Sequence, residues 1–593
     1  MSVTPTSSTA GHAGVYVERV LIENFRGVTC ELELEPTLTL LVGRNNVGKS
    51  RILSALHLAL GGRSADVDDF SVGSATLPTI DVVLAPAPPR TATADEEFTT
   101  AVARRLGPNA TQPISDQPFR ERFAWRTRVQ RSAEGLGARS ESKVLIFNDK
   151  TSTWEEQANA LDLTRNQRSL LSADLVNTGR DLMHDLARKG SSVRKVLNDL
   201  GVEETKRAAL EVELVALSKA IVDGSDTLNA VTAALAKLNQ SVGSIGSPAI
   251  NPLPISLEEL ARSLSIDLDT GVGALPIRLH GAGARSLASL QIQGVLYERL
   301  LGADGGTLRP HPVTLVEEPE AHLHPQACGE IPHLLSAITG QIVASTHSSE
   351  IATEVEPSSI RLLRPAAGGL TIVDLGPADS DQTATHRAFR PSQHTAEMGK
   401  LKRLAERPFG EILFSGAIVL GDGATERALL PPLLRHALGA RAHGLCVIDP
   451  ESLKSDVAKA AVKFAEITDI PWFAIADSDK AGRDDVKDLM SGSRRQQIDT
   501  IVWNGKPDST ALSGRSGATE AMVVDFDSQL AKEACELVRP DLAPVSNPLT
   551  SMSKLKGSIG VTLARLIIQR HPDHTKWPAP LQDLIVKLSA VLT

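Results

Sequence analysis

Three groups of residues have the types and spacing to handle phosphates. The first is Gly43-Arg44-Asn45-Asn46-Val47-Gly48-Lys49-Ser50, which fits G-x-x-x-x-G-K-[ST]. It follows the apolar run LTLLV and opens into RILSALHLAL, the strand-then-helix context a phosphate-binding loop needs. Gly43 and Gly48 let backbone N–H groups approach phosphate oxygens, with Asn45 and Asn46 in the same loop. The helix start adds its positive end, Lys49 reaches the β- and γ-phosphates, and Ser50 ligates Mg²⁺. ATP is the expected ligand.

The second group lies far along the chain. The buried-strand run Val313-Thr314-Leu315-Val316 ends in Glu317-Glu318 and continues as PEAHLHP. A carboxylate at such a strand end can hold Mg²⁺ through water, and the next can polarise the attacking water. Glu317 takes the first role, where an Asp is usual, and Glu318 the second. A further strand, Gln341 to Ala344, leads to Ser345-Thr346-His347-Ser348, and His347 there is a candidate γ-phosphate sensor. Between these segments, Gly281-Ala282-Gly283-Ala284-Arg285-Ser286 precedes a helical stretch. In ABC-type ATPases a glycine-rich segment in this order closes over the other subunit's nucleotide, so Gly281 and Gly283 join the nucleotide-binding candidates.

The third group is acidic. Ile418-Val419-Leu420 runs into Gly421-Asp422-Gly423-Ala424-Thr425-Glu426 and a helix, and Trp472 to Ala476 ends in Asp477-Ser478-Asp479. Carboxylates at neighbouring strand ends can converge on one or two Mg²⁺ or Mn²⁺ ions, and paired ions stabilise both oxygens of phosphodiester cleavage. A D-x-D alone is common on surfaces; its pairing with DGATE carries the reading.

These groups need elements to hold them. Strand-like runs at 15–17, 20–22, 32–34 and 38–42 precede a helix over 49–60, and another strand is predicted within 77–86. Over 155–250 the period becomes helical. Leu210, Leu214, Leu217 and Ile221 form one narrow seam, and Leu228, Val231, Leu235 and Leu238 a second after a turn. An ordinary core hairpin and a dimerisation arm both fit. Strand–helix alternation resumes to about 375, a polar stretch opens a linker over 376–410, and a second α/β block fills 411–593. The expected organisation is therefore a tail at 1–14, an α/β ATPase in two parts (15–154 and 251–375) around the helical segment, the linker and the final block.

Bulk properties agree. A chain of 593 residues, 41% hydrophobic and 22% charged, has room for about three or four globular domains. It has no apolar run of membrane-spanning length. Its first residues have neither the basic start nor the apolar core of a secretory signal. Four scattered cysteines without a CxxC support neither a zinc site nor a disulfide framework and fit a reducing cytoplasm. A net charge of −9 speaks against a generally basic surface but allows a local nucleic-acid groove.

Together VLIENFRGVTCELELEPTLTLLVGRNNVGKS, GAGARSL, the strand leading to EEPEAHLHP, and ASTHSSE resemble the ATPase half of the OLD (overcoming lysogenization defect) family, which includes the nuclease subunit of the Gabija antiphage system. The resemblance covers roughly 15–375, the 155–250 region being similar to the family's dimerisation insertion. The acidic block resembles a TOPRIM domain, completing the family's architecture. The resemblance implies an ABC-type P-loop ATPase followed by a TOPRIM nuclease, a homodimer or higher oligomer with ATP at its interface, DNA as substrate, and a helicase-like partner encoded nearby. It assigns Asp422, Glu426, Asp477 and Asp479 to metal binding and catalysis. It further assigns Glu520 in SGATEAMVV to a second metal, and Lys556 in KLKGSIG to the transition-state phosphate. The family has Glu where this chain has Asp422, shorter by one methylene, which keeps open an ATP-gated DNA-binding scaffold with a degenerate nuclease site. Topoisomerase chemistry needs a nucleophilic tyrosine, and Tyr16 and Tyr297 both lie in the ATPase half. A repair ATPase of SMC type is disfavoured because the insertion is too short for a long coiled-coil arm.

Overall fold

A computed structural model describes residues 14–87, 95–108, 110–132, 137–177, 203–231, 253, 267–269, 274–276, 279–280, 288, 291, 294, 308–321, 323–366, 369–375, 408–421, 423–450, 452–476, 480–491, 500–502, 518–527, 529–540, 555 and 557–592. The first half contains β1 (Val15–Phe25), β2 (Val28–Glu33), β3 (Leu38–Val42), helix α1 (Lys49–Ala59), β4 (Thr79–Pro86), β5 (Gln112–Asp116), β6 (Phe119–Arg131) and β7 (Ala138–Val144). It continues with β8 (Leu171–Asn177), α2 (Glu204–Asp223), β9 (His311–Glu317), α3 (Ile331–Ala337), β10 (Gln341–Thr346), α4 (Ser349–Glu354), β11 (Ile360–Ala366) and β12 (Gly369–Asp374). The second half runs α5 (Pro408–Phe414), β13 (Ala417–Gly421), α6 (Ala424–Leu438), β14 (Leu445–Ile448), α7 (Asp456–Ile467), β15 (Trp472–Ala476), α8 (Lys480–Ser491) and β16 (Thr500–Val502). It ends with α9 (Ala518–Phe526), α10 (Leu530–Val538), α11 (Gly557–Arg570) and α12 (Ala579–Val591).

Three sheets carry the fold. The first is antiparallel, in the order β2-β1-β4-β6-β5 with β7 on β6. The second has the order β8-β9-β10-β3-β11-β12 and is parallel except for its last pair. The third is parallel, in the order β14-β13-β15-β16. The central strands of both parallel sheets read as continuous apolar runs because both their faces are covered. Alternate residues show how. Leu41, Val313, Leu315 and Val343 of the second sheet pack with α1 and the first sheet. Leu40, Val42, Val316 and Ala344 face α3 and α4.

That second cluster does not stop at the end of the first half. It runs on through Ile412 and Leu413 of α5, Ile418 and Leu420 of β13, Ala474 of β15 and Ala461 of α7. The opposite face of the third sheet, with Val419, Phe473 and Ile475, is covered by α6, α10, α11 and α12. The two halves, expected as separate domains on a linker, thus share one core. Thr468 after α7 accepts a hydrogen bond from Arg364 of β11 at 2.6 Å through its backbone oxygen.

The structure also alters the reading of 155–250 as a helical segment. Leu171–Asn177 is a strand, paired along its whole length with β9 in the second sheet. Its residues are part of the parallel core, and the helical character begins later, in α2. On α2, Leu210, Leu217 and Ile221 are exposed; Leu235 and Leu238 of the second seam lie outside the described residues. So do the linker residues 376–407 and the tail up to residue 13.

Gln341 joins the first two sheets. Its fully buried side chain accepts from Val17 N–H at 2.9 Å and donates to the carbonyls of Val17 at 2.7 Å and Glu35 at 2.9 Å. It starts β10, whose other end carries His347. Gln341→Ala leaves these buried backbone groups unpaired, at about 1–3 kcal/mol each. We expect a loss of about 3 kcal/mol, read as a fall in unfolding free energy by denaturant titration. A loss below about 0.7 kcal/mol would show that this bridge is dispensable.

Candidate functional site

The order β9-β10-β3 places three chain segments side by side. Thr346 is level with Val42, and Ser345 with Glu317. The C-terminal ends of three adjacent parallel strands therefore deliver Glu317-Glu318, His347 and the loop beginning at Gly43 to one edge. The loop needs its glycines and Asn46. Asn46 (φ 61°) and Gly48 (φ 122°) both occupy positive φ, which turns successive backbone N–H groups towards one concavity. A Cβ on Gly43 would sit 2.8 Å from the Leu363 carbonyl oxygen. Asn45 is exposed, and Ser50 is exposed in the first turn of α1.

Lys49 is buried and folds back over its own loop. Its Nζ donates to the carbonyls of Gly43 at 2.7 Å and Arg44 at 3.1 Å, and lies 3.2 Å from His347 Nδ1. An ammonium offers only protons, so Nδ1 is the acceptor. The proton of the ring is then on Nε2, which donates to Glu318 Oε1 at 3.0 Å. His347 is a neutral bridge between a cation and a carboxylate. Burial and the Lys49 charge hold its pKa below the ordinary value, against the pull of Glu318 and Glu320. Burial likewise pushes Lys49 down to about 8, while Glu318 and Glu320 oppose the fall. Glu318 itself has φ 45°, a left-handed backbone that costs a non-glycine residue about 1–3 kcal/mol and recurs at functional positions. A cradle of backbone N–H groups beside a buried ammonium held by neutral acceptors suits a triphosphate. In that arrangement Glu317, half-buried at the end of β9, and Ser50 are the residues to hold Mg²⁺.

Glu320 escaped the sequence reading. Its Oε1 accepts from Thr346 Oγ1 at 2.8 Å and from His347 N–H at 2.5 Å. Only its place in the EEPE run could have drawn notice.

The segments that carry the acidic group follow β13 and β15 of the third sheet. Crossovers from β13 to β14 and from β14 to β15 run in opposite directions, so the crevice beyond β13 and β15 is a topological switch point, where open α/β sheets bind ligands. Gly421 is level with Ile475, so Asp422 and Asp477 directly follow neighbouring strand ends. Glu426 lies in the first turn of α6 and accepts from Thr519 Oγ1. Thr519, buried in the first turn of α9, immediately precedes Glu520. A Cβ on Gly421 would come 2.7 Å from Cβ of Glu426, so only glycine lets the Glu426 stem lie over the strand end. Gly557, which follows Lys556, packs against Ala424: a Cβ there would be 3.1 Å from the Ala424 carbonyl oxygen. The beginnings of α6, α9 and α11 thus meet beyond β13. Asp422, Asp477, Asp479 and Lys556 lie outside the described residues, as do Gly281 and Gly283, and the Glu520 side chain is likewise not described. Among the described residues, no cluster of three or more His, Cys, Asp or Glu side chains could hold a metal ion. No helix among them is long and apolar enough to cross a membrane.

Comparison with known proteins identifies the first site. Residues 16–88 match the model of an AAA ATPase domain. Residues 294–353 match a model described as "AAA domain, putative AbiEii toxin, Type IV TA system". One match holds the phosphate loop and the other holds Glu317, Glu318 and His347, so both segments are of AAA ATPase type. The uncharacterized protein YbjD of Escherichia coli (strain K12) is 29% identical over 223 residues, which span 35% of this chain and 36% of YbjD. Among solved structures, an Smc head bound to the C-winged helix domain of ScpA is 17% identical with TM-score 0.36, covering 61% of this chain and 98% of that one. An Smc head with an extended coiled coil, bound to the C-terminal domain of ScpA derived from Pyrococcus furiosus, is 15% identical with TM-score 0.35, covering 61% and 96%. The fold assignment rests on strand order and not on these overlaps.

Two experiments test the nucleotide site. Lys49→Ala should abolish tight ATP binding, while Glu318→Gln should bind ATP and lose hydrolysis; equal binding by Lys49→Ala and wild type would refute the loop assignment. The second is a pH titration. Lys49 is depressed in the free protein, and phosphate charge raises it again, so binding takes up a proton wherever free Lys49 is neutral. Affinity is full below about pH 8 and falls above it. Between pH 7.5 and 9.0 the Kd of a non-hydrolysable ATP analogue should rise about five- to tenfold, and calorimetry in buffers of different ionisation enthalpy should show proton uptake.

Proposed function

We propose that this chain is an ATP-regulated, metal-dependent DNA endonuclease of the OLD type, with a TOPRIM nuclease half. The observation that carries this reading is the meeting of β13, β15 and the starts of α6, α9 and α11 at one switch point, each beside a residue the family resemblance assigns to cleavage. Asp422, Glu426, Asp477 and Asp479 hold Mg²⁺ or Mn²⁺, and Glu520 assists at a second ion. Bound divalent ions supply an activated water and stabilise the leaving oxygen. Lys556 offsets negative charge developing on the scissile phosphate.

The shared core supports regulation by ATP. His347 is followed directly by α4, whose N-cap Ser348 hydroxyl accepts from Ile351 N–H. The Gly410 backbone of α5 lies against α4, where a Cβ would come 2.6 Å from the Ser349 carbonyl oxygen. α5 leads within a few residues into β13. A shift of the His347 loop on ATP binding or hydrolysis has a packed route to the strand that precedes Asp422. The molecule acts as a homodimer in the cytoplasm, with α2 as part of its dimerisation arm. Its biological role is defence against phage or other foreign DNA, with a helicase-like partner. These last assignments follow from the resemblance.

Plasmid cleavage by the purified chain with Mg²⁺ or Mn²⁺, with and without ATP, tests the reading. Asp477→Ala and Asp479→Ala should lower cleavage at least about 100-fold, because a metal site loses a ligand, and leave ATP hydrolysis within about twofold of wild type. Asp422→Glu should keep or raise cleavage. Cleavage that survives both alanine variants overturns the mechanism. A wild type that cuts under no divalent metal, with cleavage gained in Asp422→Glu, makes the domain a degenerate nuclease and the protein an ATP-gated scaffold.

A further inference from the structure

We propose that Glu320 is a positioning residue for ATP hydrolysis that acts through His347, holding the main chain of that histidine while Glu318 holds its ring. The proposal rests on the ATPase reading of the first site, not on the nuclease reading.

The geometry is specific. Glu318 accepts from Nε2 of His347 at 3.0 Å. Two residues later, Glu320 Oε1 accepts from the backbone N–H of the same histidine at 2.5 Å and from the hydroxyl of Thr346 at 2.8 Å. A tight turn fixes the spacing of the two carboxylates: Ala321 N–H donates to the Glu318 carbonyl at 2.9 Å, and Leu323 N–H to that of Glu320 at 3.0 Å. Pro319 stiffens the step between them by fixing its own φ. His347 is therefore gripped at ring and backbone by one short segment, while Nδ1 meets Lys49 at 3.2 Å.

Folding alone gives little reason for a carboxylate here. Oε2 of Glu320 is buried with no hydrogen-bond partner among the described residues. A buried unpaired oxygen on an ionised group is costly, and a neutral acceptor could satisfy the same two donors. The charge has a use at the site instead, because it acts on Lys49 and His347 together. The groups facing Lys49 are the carbonyls of Gly43 and Arg44, the His347 ring, and the carboxylates of Glu318 and Glu320. The arrangement thus gives Glu320 its role: it holds the main chain of the histidine whose ring meets Glu318.

The test is a double-mutant cycle on the full chain, reading steady-state ATP hydrolysis and binding of a non-hydrolysable ATP analogue. Glu320→Ala should lower kcat about 10- to 100-fold at pH 7.0 and change analogue Kd less than about threefold. In a His347→Ala background, Glu320→Ala should change kcat less than about twofold, because the residue it positions is gone. Glu320→Gln keeps an oxygen for both donors, so kcat should stay within about threefold of wild type. A wild-type kcat in Glu320→Ala overturns the proposal, as do fully additive effects in the cycle, which would mark a purely structural role. If Glu320→Ala does not fold, Glu320→Gln carries the test. A kcat as low as that of His347→Ala then overturns it. A wild-type chain that binds the analogue and hydrolyses no ATP removes the ATPase reading and this proposal together, and leaves the nuclease reading standing.

Discussion

A buried ammonium separated from a carboxylate by one neutral imidazole is the contact on which the rest of the first site depends. Lys49 is bonded to the carbonyls of Gly43 and Arg44 and to Nδ1 of His347, and Nε2 of that ring bonds Glu318. Among the described residues, the cation has no direct bond to an anion. It is held in place by neutral acceptors, with its charge largely uncompensated at contact distance. A polyphosphate can displace weak neutral partners without first breaking an ion pair, which in a buried setting would be expensive. The imidazole links the lysine of the phosphate loop directly to Glu318.

The strand order makes that contact possible. β10 lies between β9 and β3, so the histidine following it falls between the acidic pair and the phosphate loop. Gln341 secures β10 at its other end by bonding backbone groups of β1 and of the chain after β2. Arg361, buried in β11, adds a second tie, donating to the Glu33 carbonyl at 2.8 Å and pairing with Glu35 at 3.0 Å. The catalytic edge thus rests on polar links between sheets, which fix register where apolar packing alone would permit sliding.

The same logic extends across the second half. One apolar cluster covers the lower face of the ATPase sheet and a face of the third sheet. A layer of helices between two sheets is held on both sides, and displacement of α4 is resisted by α5. Close-packed interiors transmit such shifts because they have no free volume to absorb them. The distance in sequence between the two sites is large, yet the packed path between them consists of two short helices.

The sequence by itself determined the local elements of this protein. The phosphate loop, the strand ending in Glu317-Glu318, the strand leading to His347, and the strands that precede the two acidic segments were all legible, because each is encoded by contiguous residue types. Positive φ needs Gly or Asn, a buried strand needs an apolar run, and a helix start favours particular caps. Spacing along the chain carries no information on strand order. Only the tertiary structure decided that Leu171–Asn177 extends the ATPase sheet, since a short strand next to a helical stretch has no distinctive period. Only it revealed the grip of Glu320 on His347 and of Thr519 on Glu426, contacts between residues 27 and 93 positions apart. The union of the two halves in one core was equally invisible in sequence. Polar side chains find their partners, and apolar faces their covers, through the folded arrangement of the strands, and that arrangement is a property of the whole chain's packing.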